Sequence, residues 1–376
     1  MYLFDLLLKM MIRESPMKTL IGFLSLTIFV SSASDLFAQE EGVVITLNEK
    51  QQVIDSVSVN LKEEYIFSDI AEKLVTLLNR KLEEGKYDHL LSHEEFASTI
   101  TKDLRSVNND KHLWIWYYPD WVTNELLRIN NLSKGIDTGL EKGQKNNFGF
   151  KEIKIMDGNI GYFRLDEFSE YPNALQTLNG GFQFLQYCDA LIIDLRHNIG
   201  GAPEMVQLLC SYFFQIPSVH LNSLKYKQDG DVVQYWTYYF LPGKKFINQP
   251  IYILVSGRTA SAAEEFAYNL QTLKRATIIG EKTRGAAHHN KFKIINDNYF
   301  MSLPIARAVN PITHSNWEGA GIKPNIEVKS EIALHESYKS ALMELLINSD
   351  NDDIKEKYQM VLNKLEHESK ESSLMD

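Results

Sequence analysis

A short apolar run that leads directly into an amphipathic segment constrains the fold of this chain more than any other feature. Residues 250–257 read Pro-Ile-Tyr-Ile-Leu-Val-Ser-Gly, which predicts a buried strand bounded by proline and glycine. Apolar residues then recur at helical spacing from Phe266 to Leu273. Ser261 therefore lies at a strand-to-helix junction, where the free N–H groups of the first helical turn favour negative charge.

Ser261 has two interpretations at this junction. With Glu264 it forms the Ser-x-x-Glu pattern of a capping box, which is a structural role. Its hydroxyl could equally be a nucleophile, with the N–H of Ala262 holding the oxyanion that forms. On these residues alone the cap is favoured, because helix starts far outnumber catalytic serines.

Length and composition exclude several classes of function. The 376 residues suffice for two or three structural units, and the net charge of −10 comes without the clustered Lys and Arg of a nucleic-acid interface. No Cys-x-x-Cys spacing occurs, and we expect neither a metal site nor a cofactor. Cys188 and Cys210 lie in apolar surroundings and could be two buried thiols or a disulfide.

The amino-terminal residues 1–38 have the features of a signal peptide. A charged start at Met17 is followed by an apolar run over residues 20–30 and by small residues up to Ala38. The run is too short for a confident membrane span. We therefore expect a secreted or periplasmic protein that begins near Gln39, with Met17 as the true start and no stable membrane span in the mature chain.

Hydrophobic periodicity divides the remaining chain into four parts. Three amphipathic helices and an aromatic strand predict a small helical domain, and alternating strands and helices later predict a mixed α/β core. The stretch between them is rich in Asn, Lys and Gly, which predicts an irregular connector. The predicted parts are a helical domain at 39–118, a connector at 119–150, the α/β core at 151–330 and C-terminal helices at 331–376.

A second polar loop, residues 194–201, follows another buried strand. It ends in the pair Gly200-Gly201, which allows a backbone to approach another group closely. One of these N–H groups could face Ala262 and complete an oxyanion hole, or the pair could simply form a tight turn. The Gly-Lys-Ser/Thr of a phosphate-binding loop is absent, and we expect Asp194 and Arg196 to form a structural ion pair.

A nucleophilic serine needs a base, and the sequence offers several histidines. The histidines that lie near breaks in the periodic pattern are His112, His197, His288 and His289. Residue types and spacing do not choose among them. Glu318, between Trp and Gly, could orient the chosen histidine or could be a solvated loop carboxylate.

Taken together, four stretches resemble the C-terminal processing, or tail-specific, peptidase family. They are residues 194–201, 259–266, 280–288 and 316–325. The branch that they resemble contains tricorn protease and the repeats of interphotoreceptor retinoid-binding protein. The resemblance implies a ClpP/crotonase-like mixed α/β core behind a small helical bundle, and a peptide or protein as the substrate.

The resemblance also implies roles for individual residues. Ser261 matches the family nucleophile, and Gly200, Gly201 and Ala262 match the oxyanion donors. Ala286 occupies the position at which the common processing peptidases carry a lysine general base. Because alanine cannot accept a proton, a Ser-Lys mechanism is excluded.

The tricorn-like branch uses histidine and glutamate in place of that lysine. His112 matches its histidine, and Glu318 matches the glutamate that orients the histidine. Lys111, beside His112, departs from the serine that tricorn carries there. We thus expect a secreted serine peptidase with a Ser-His-Glu site. The 120–148 segment is too short for a separate peptide-binding domain of the PDZ type, so we expect the substrate to bind directly at the core.

Two other functions use the same residues. The aromatic residues after His112 are consistent with a non-catalytic module that binds an apolar ligand, as the retinoid-binding relatives imply. An esterase or amidase acting on small acyl substrates would need the same serine and base.

Overall fold

A computed structural model describes residues 44–134, 138–170, 173–227 and 230–373 of the protein. The predicted signal peptide at 1–38 lies outside these residues. Within the described ranges no helix combines the length and the apolar character that a membrane span requires.

Ten α-helices are found in the described residues. In chain order they are α1 (Leu47–Glu64), α2 (Ser68–Glu83), α3 (His93–Asn108), α4 (Pro119–Ser133), α5 (Thr138–Lys145), α6 (Leu175–Leu185), α7 (Pro203–Ser211), α8 (Ala262–Thr272), α9 (Ala333–Asn348) and α10 (Asp352–Ser373).

The strands of the described residues form two sheets. In chain order they are β1 (Trp114–Tyr117), β2 (Phe150–Met156), β3 (Ile160–Leu165), β4 (Ala190–Asp194), β5 (His220–Tyr226), β6 (Val232–Trp236), β7 (Ile251–Val255), β8 (Thr277–Gly280), β9 (His289–Ile294), β10 (Tyr299–Val309) and β11 (Ile326–Glu327).

The helical region that the sequence predicts before a mixed α/β core is confirmed. Helix α1 begins at a capping box, in which the Thr46 hydroxyl oxygen accepts from the Glu49 N–H and the Glu49 carboxylate accepts from the Thr46 N–H. The apolar face of α1, which includes Val53, Val57 and Leu61, is fully buried. Helices α1, α2 and α3 share one apolar core with the inner face of β10, so this layer is joined to a sheet.

The structure differs from the sequence expectation between residues 119 and 150. The composition predicts an irregular connector, but helices α4 and α5 occupy most of the stretch. Pro119 stands at the start of α4, where its fixed backbone angle suits a helix and its missing N–H has no partner to lose. Val122 is fully buried and attaches α4 to the rest of the protein.

The larger sheet places the two candidate loops side by side. Its strand order is β11-β8-β7-β4-β3-β2, and all neighbours are parallel except β2 and β3. The central strands β4 and β7 are buried along their whole length, which is typical of parallel strands covered on both faces. Because β4 and β7 are adjacent and parallel, the loops after their carboxyl ends meet at one edge of the sheet.

The smaller sheet is antiparallel and brings distant segments to the same edge. The long strand β10 pairs with β1, β5 and β9. His112 precedes β1 by two positions, and His289 opens β9. The C-terminal helices α9 and α10, which the sequence predicts within residues 331–376, pack against one face of the larger sheet. Cys188 and Cys210 are both buried free thiols.

Candidate active site

Ser261 lies directly before helix α8 with a backbone that is rare for a residue with a side chain. Its φ is 56° and its ψ is −124°, a combination that costs conformational energy in non-glycine residues. Gly200 permits this turn to approach closely. A Cβ on Gly200 would lie 2.7 Å from the Ser261 Cβ and 3.1 Å from its Oγ.

The buried carboxylate of Glu264 holds the Ser261 turn in place. It accepts hydrogen bonds from the N–H groups of Ser261 at 3.0 Å, Gly285 at 2.7 Å and Ala286 at 2.9 Å. Burial raises the pKa of Glu264, although these donors oppose the rise. The carboxylate of the predicted capping box therefore also ties the Ser261 turn to the loop that carries Ala286.

Two of the three predicted oxyanion donors keep a free N–H. The Gly200 N–H donates to Asn198 Oδ1 at 2.8 Å, so it is already engaged and does not fit the donor role expected of it. No hydrogen bond within the described residues uses the N–H of Gly201 or Ala262. Gly201 has φ 141°, and a Cβ there would lie 2.1 Å from the Phe168 carbonyl oxygen, so only glycine fits.

Asp194 and Arg196, at the start of the 194–201 loop, form the structural ion pair that the sequence predicts. Arg196 Nη2 lies 2.6 Å from Asp194 Oδ2, and Arg196 Nη1 donates to the Ser330 carbonyl at 2.7 Å. Burial opposes the charged form of Asp194, but the hydrogen bonds from Arg196 outweigh it and lower the pKa of Asp194. The pair therefore anchors the end of β4.

His112 lies in the turn before β1, and its imidazole is uncharged at neutral pH. The backbone N–H of His112 donates to Asp110 Oδ1 at 3.1 Å. Its ring Nδ1 is buried and has no hydrogen-bond partner among the described residues. Burial lowers the pKa of His112 to about 4, against the opposing negative charge of Asp110. The imidazole is therefore unprotonated near neutral pH.

Glu318 binds the backbone next to His112, and among the described residues no hydrogen bond joins its carboxylate to the buried Nδ1 of the His112 ring, which differs from the orienting role expected from the sequence. Its Oε1 accepts from the Lys111 N–H at 3.0 Å, and its Oε2 accepts from the Ala287 N–H at 2.6 Å. The carboxylate is thus bound between two backbone segments. It positions the residue before His112, and it is not the solvated loop group that the sequence left as an alternative.

A buried network beside Glu318 is centred on Asp110, a residue that the sequence analysis did not single out. His288 Nδ1 lies 2.9 Å from Asp110 Oδ2 and 3.8 Å from Glu318 Oε2. The Tyr65 hydroxyl donates to the same Asp110 oxygen at 3.0 Å. Burial alone would lower the pKa of His288, but the Asp110 hydrogen bond and the two carboxylates raise it. Asp110 stands in a polar turn, where the sequence carries no sign that its side chain is fully buried.

The same three side chains could in principle offer metal ligands, since ligand atoms of Asp110, His288 and Glu318 all lie within 4.8 Å of one another. Protein donors already occupy both carboxylates: Tyr65, His112 and His288 bind Asp110, and two backbone N–H groups bind Glu318. The cluster is therefore satisfied as a hydrogen-bond network.

One large cavity joins the serine and the histidine. It has a volume of about 910 Å³ and is lined by Ser261, Gly201 and His112, among others. Ala286 also lines the cavity, and this alanine stands at the position where a lysine base would be expected from the Ser-Lys processing peptidases. Of the other candidate bases, His289 lines the cavity, whereas His197 is exposed and does not.

The fold and this geometry define a class: mixed α/β proteins with a strained serine at a strand-to-helix junction beside a glycine loop. Residues 159–328 match the family model described as Peptidase family S41. Residues 33–132 match the model described as the N-terminal domain of Peptidase_S41 in eukaryotic IRBP. The two matches do not overlap, and both models describe parts of family S41 peptidases, so the helical region and the α/β core are each similar to that family.

Curated relatives carry protease names. The chain is 30% identical over 219 residues to the carboxy-terminal-processing protease of Bartonella bacilliformis, covering 57% of this chain and 48% of that protein. It is 27% identical over 179 residues to the carboxyl-terminal-processing protease of a Synechocystis species, covering 46% and 39%. The aligned region thus spans less than half the length of these relatives.

Solved structures share the fold at low identity. A lipoprotein from Streptococcus agalactiae matches with a TM-score of 0.52 at 17% identity, covering 78% of this chain and 96% of that one. A putative peptidase from Parabacteroides merdae matches with a TM-score of 0.50 at 17% identity, covering 74% and 90%. Neither names a ClpP or crotonase core, so that finer assignment stays a prediction.

Proposed function

We propose that this protein is a serine peptidase that hydrolyses peptide bonds, with Ser261 as nucleophile, His112 as general base and Glu318 as a positioning residue. One observation carries the proposal. The strained Ser261 turn lies beside the free N–H groups of Gly201 and Ala262, in a cavity that His112 also lines. The protease names of the relatives support the same reaction class.

The acylation step uses groups that are already in suitable states. The neutral His112 ring takes the Ser261 hydroxyl proton while Oγ bonds to the substrate carbonyl carbon. The N–H groups of Gly201 and Ala262 hold the oxyanion. His112 then passes its proton to the leaving amine as the C–N bond breaks, and the acyl group remains on Ser261.

Deacylation repeats the proton transfers with water. His112 takes a proton from water as the water oxygen bonds to the acyl carbon. The bond between that carbon and Ser261 Oγ then breaks, His112 returns the proton to Oγ, and the acid product leaves. Glu318 acts through the Lys111 N–H by holding the turn that carries His112. Asp110 lies near the imidazolium that forms transiently, and its negative charge favours that form.

A fluorophosphonate probe tests the activated serine directly. The wild type, Ser261→Ala and His112→Gln are labelled side by side, with Ser315→Ala as a control because Ser315 is an exposed serine. We expect labelling of the wild type and the control, none of Ser261→Ala, and at least about a hundredfold slower labelling of His112→Gln, since general-base catalysis contributes that much.

The possible outcomes separate the parts of the proposal. Labelling lost only in Ser261→Ala would keep the nucleophile and move the base to His288 or His289. An unlabelled but folded wild type would overturn the hydrolase assignment. Hydrolysis of p-nitrophenyl acetate without cleavage of any member of a peptide library would favour the esterase alternative.

We also propose that the protein is secreted or periplasmic after cleavage near Ala38, on the basis of the amino-terminal sequence. Mass spectrometry of the protein recovered from the medium or periplasm of a bacterial host tests this. A mature start at Gln39 is expected, and retention of residues 17–38 would contradict it.

A second candidate function is the binding of an apolar ligand. Trp114, Trp116 and Phe292 line the cavity that contains Ser261, and Trp116 and Phe292 are more than half exposed. A hydrophobic dye that quenches tryptophan fluorescence equally in the wild type and in Ser261→Ala, without any peptide cleavage, would favour this function.

A further inference from the structure

A second, much smaller pocket adjoins Ser261. It has a volume of about 20 Å³, which is room for about one water molecule. Gly201, Pro203, Ser261 and His289 line both this pocket and the large cavity, so the small pocket branches from the cavity at the serine.

The position of this pocket relates it to the bond that would be attacked. The residues that keep free N–H groups, Gly201 and Ala262, both line it together with Ser261. A substrate carbonyl oxygen held by those two N–H groups has its own α-carbon next to the pocket. The side chain on that α-carbon therefore has the small pocket as its nearest recess.

Glu265 supplies a buried carboxyl to this pocket. It lies one helical turn after Ser261 on α8 and is 7% exposed. Burial raises the pKa of Glu265 to about 7, the adjacent Asn222 amide opposes this rise, and the charge of Glu204 adds to it. The other polar side chains that line the pocket are those of Ser261, His288, His289 and Trp317, and the Trp317 indole N–H already donates to the Ala286 carbonyl oxygen at 3.1 Å.

We propose that this pocket is the subsite for the residue on the acyl side of the cleaved bond, and that Glu265 selects a serine side chain there. The inference rests on the proposed peptidase function and deepens it, because it names the class of peptide that is cleaved. The site takes a small side chain that carries a hydroxyl group.

Size sets the first part of this selectivity. A serine side chain has two heavy atoms, which suits a pocket with room for about one water molecule. Leucine or phenylalanine would overlap the walls formed by Leu224 and Trp317, which are 2% exposed each. A lysine side chain is likewise too long for a pocket of about 20 Å³, even though the carboxyl would attract its charge.

Hydrogen bonding sets the second part. A serine hydroxyl in the pocket can donate to the Glu265 carboxyl. An alanine methyl enters the same space but cannot donate, and it leaves the buried carboxyl without that partner, which is costly. Sites built to hydrogen-bond a substrate hydroxyl discriminate strongly against analogues that lack it.

The test compares peptides that are identical except for serine, alanine or leucine before the cleaved bond. The value of kcat/KM for each is measured by mass spectrometry with the wild type, Glu265→Leu and Glu265→Gln. We expect the wild type to prefer serine over alanine by about 10- to 100-fold, the range that follows from leaving a buried polar group unpaired. Leucine should be cleaved least.

The two variants separate hydrogen bonding from charge. Glu265→Leu should reduce the serine-to-alanine ratio to about one or below, whereas Glu265→Gln keeps an oxygen acceptor and should retain a preference for serine. Labelling of Ser261 by the small fluorophosphonate probe shows that each variant is folded and active.

The results distinguish failure of this inference from failure of the proposed function. A wild type that cleaves peptides but prefers leucine, or shows equal rates for serine and alanine, overturns the subsite whatever the variants do. A serine preference that persists in a labelled Glu265→Leu overturns the role of Glu265. A wild type that is folded, unlabelled and inactive on every peptide overturns the peptidase function itself.

Discussion

The nucleophile side and the histidine side of the site are built in different ways. The Ser261 turn depends on neighbours in one sheet: the loops after β4 and β7 meet, and Glu264, three residues from Ser261, holds the turn. The histidine side joins Asp110, His288 and Glu318, which come from three distant segments. One half is therefore encoded by local motifs, and the other by long-range packing.

The two halves also differ in what holds them. Close approach of backbone segments dominates near Ser261. A Cβ on Gly200 would lie 2.7 Å from the Ser261 Cβ, and one on Gly201 would lie 2.1 Å from the Phe168 carbonyl oxygen, so both positions require glycine. Buried charge dominates near His112, where Asp110 is fully buried and His288 is 6% exposed. Steric changes should therefore damage the first half most, and removal of single charges should damage the second.

Gly200→Ala should give the largest effect. The added Cβ would lie 2.7 Å from the Ser261 Cβ, and the φ of 119° is unfavourable for alanine. We expect kcat/KM to fall by about a hundredfold or more, because displacements near 1 Å cost that much. Peptide kinetics and probe labelling measure this.

Gly180→Ala is the matched control, since nothing lies within 4 Å of the added Cβ inside α6. It should raise stability by about 0.5–1 kcal/mol in thermal unfolding and leave kcat/KM unchanged. Full activity in Gly200→Ala would show that the close approach to Ser261 is not needed.

Asp110→Asn should disturb the histidine side next most strongly. It replaces the carboxylate that receives hydrogen bonds from Tyr65, His288 and the His112 N–H. Breaking a buried charged pair typically costs about 3–5 kcal/mol, although asparagine keeps one oxygen acceptor, so we expect the lower part of that range. Urea unfolding measures the loss.

Asp297→Asn serves as its control, because Asp297 is exposed. Its stability should stay within about 0.5 kcal/mol of the wild type. If Asp110→Asn is equally neutral, the buried network does not hold the His112 turn.

Glu318→Gln should have a smaller effect that appears mainly in kcat. The amide oxygen can accept from one of the two N–H groups, of Lys111 and Ala287, but not from both with the strength of a carboxylate. We expect kcat to fall by about tenfold with little change in KM, since one charge-assisted hydrogen bond is worth about 1.5–3 kcal/mol and is only partly lost. A rise in KM alone would instead assign Glu318 to substrate binding.

The pH profile should give the most subtle distinction. A base acts when it is unprotonated, and burial lowers the pKa of His112 to about 4. Activity governed by His112 should therefore hold as the pH falls from 8 to about 5 and decline only near 4. His288, whose pKa is raised, would as base produce an acid limb above the ordinary histidine value of about 6.5.

Much of the fold and the nucleophile half of the site follow from local pattern. The strand–Ser261–helix junction, the paired glycines and the helical face of α1 are all readable because their periodicity and spacing lie within a few residues. The helices between residues 119 and 150 are not predictable from composition, because Asn and Gly, which have weak helix propensity, are frequent there and tertiary contacts such as that of Val122 hold the segment.

The sequence by itself determined the strand-to-helix placement of Ser261, the Glu264 cap and the absence of a lysine at position 286, because these depend on neighbouring residues. Only the tertiary structure decided which N–H groups are free, that Glu318 holds the backbone beside His112, and that Asp110 and Glu265 are buried carboxyls. The physical reason is that hydrogen-bond partners and solvent exposure depend on segments far apart in the chain, whereas caps and strand ends depend on adjacent residues.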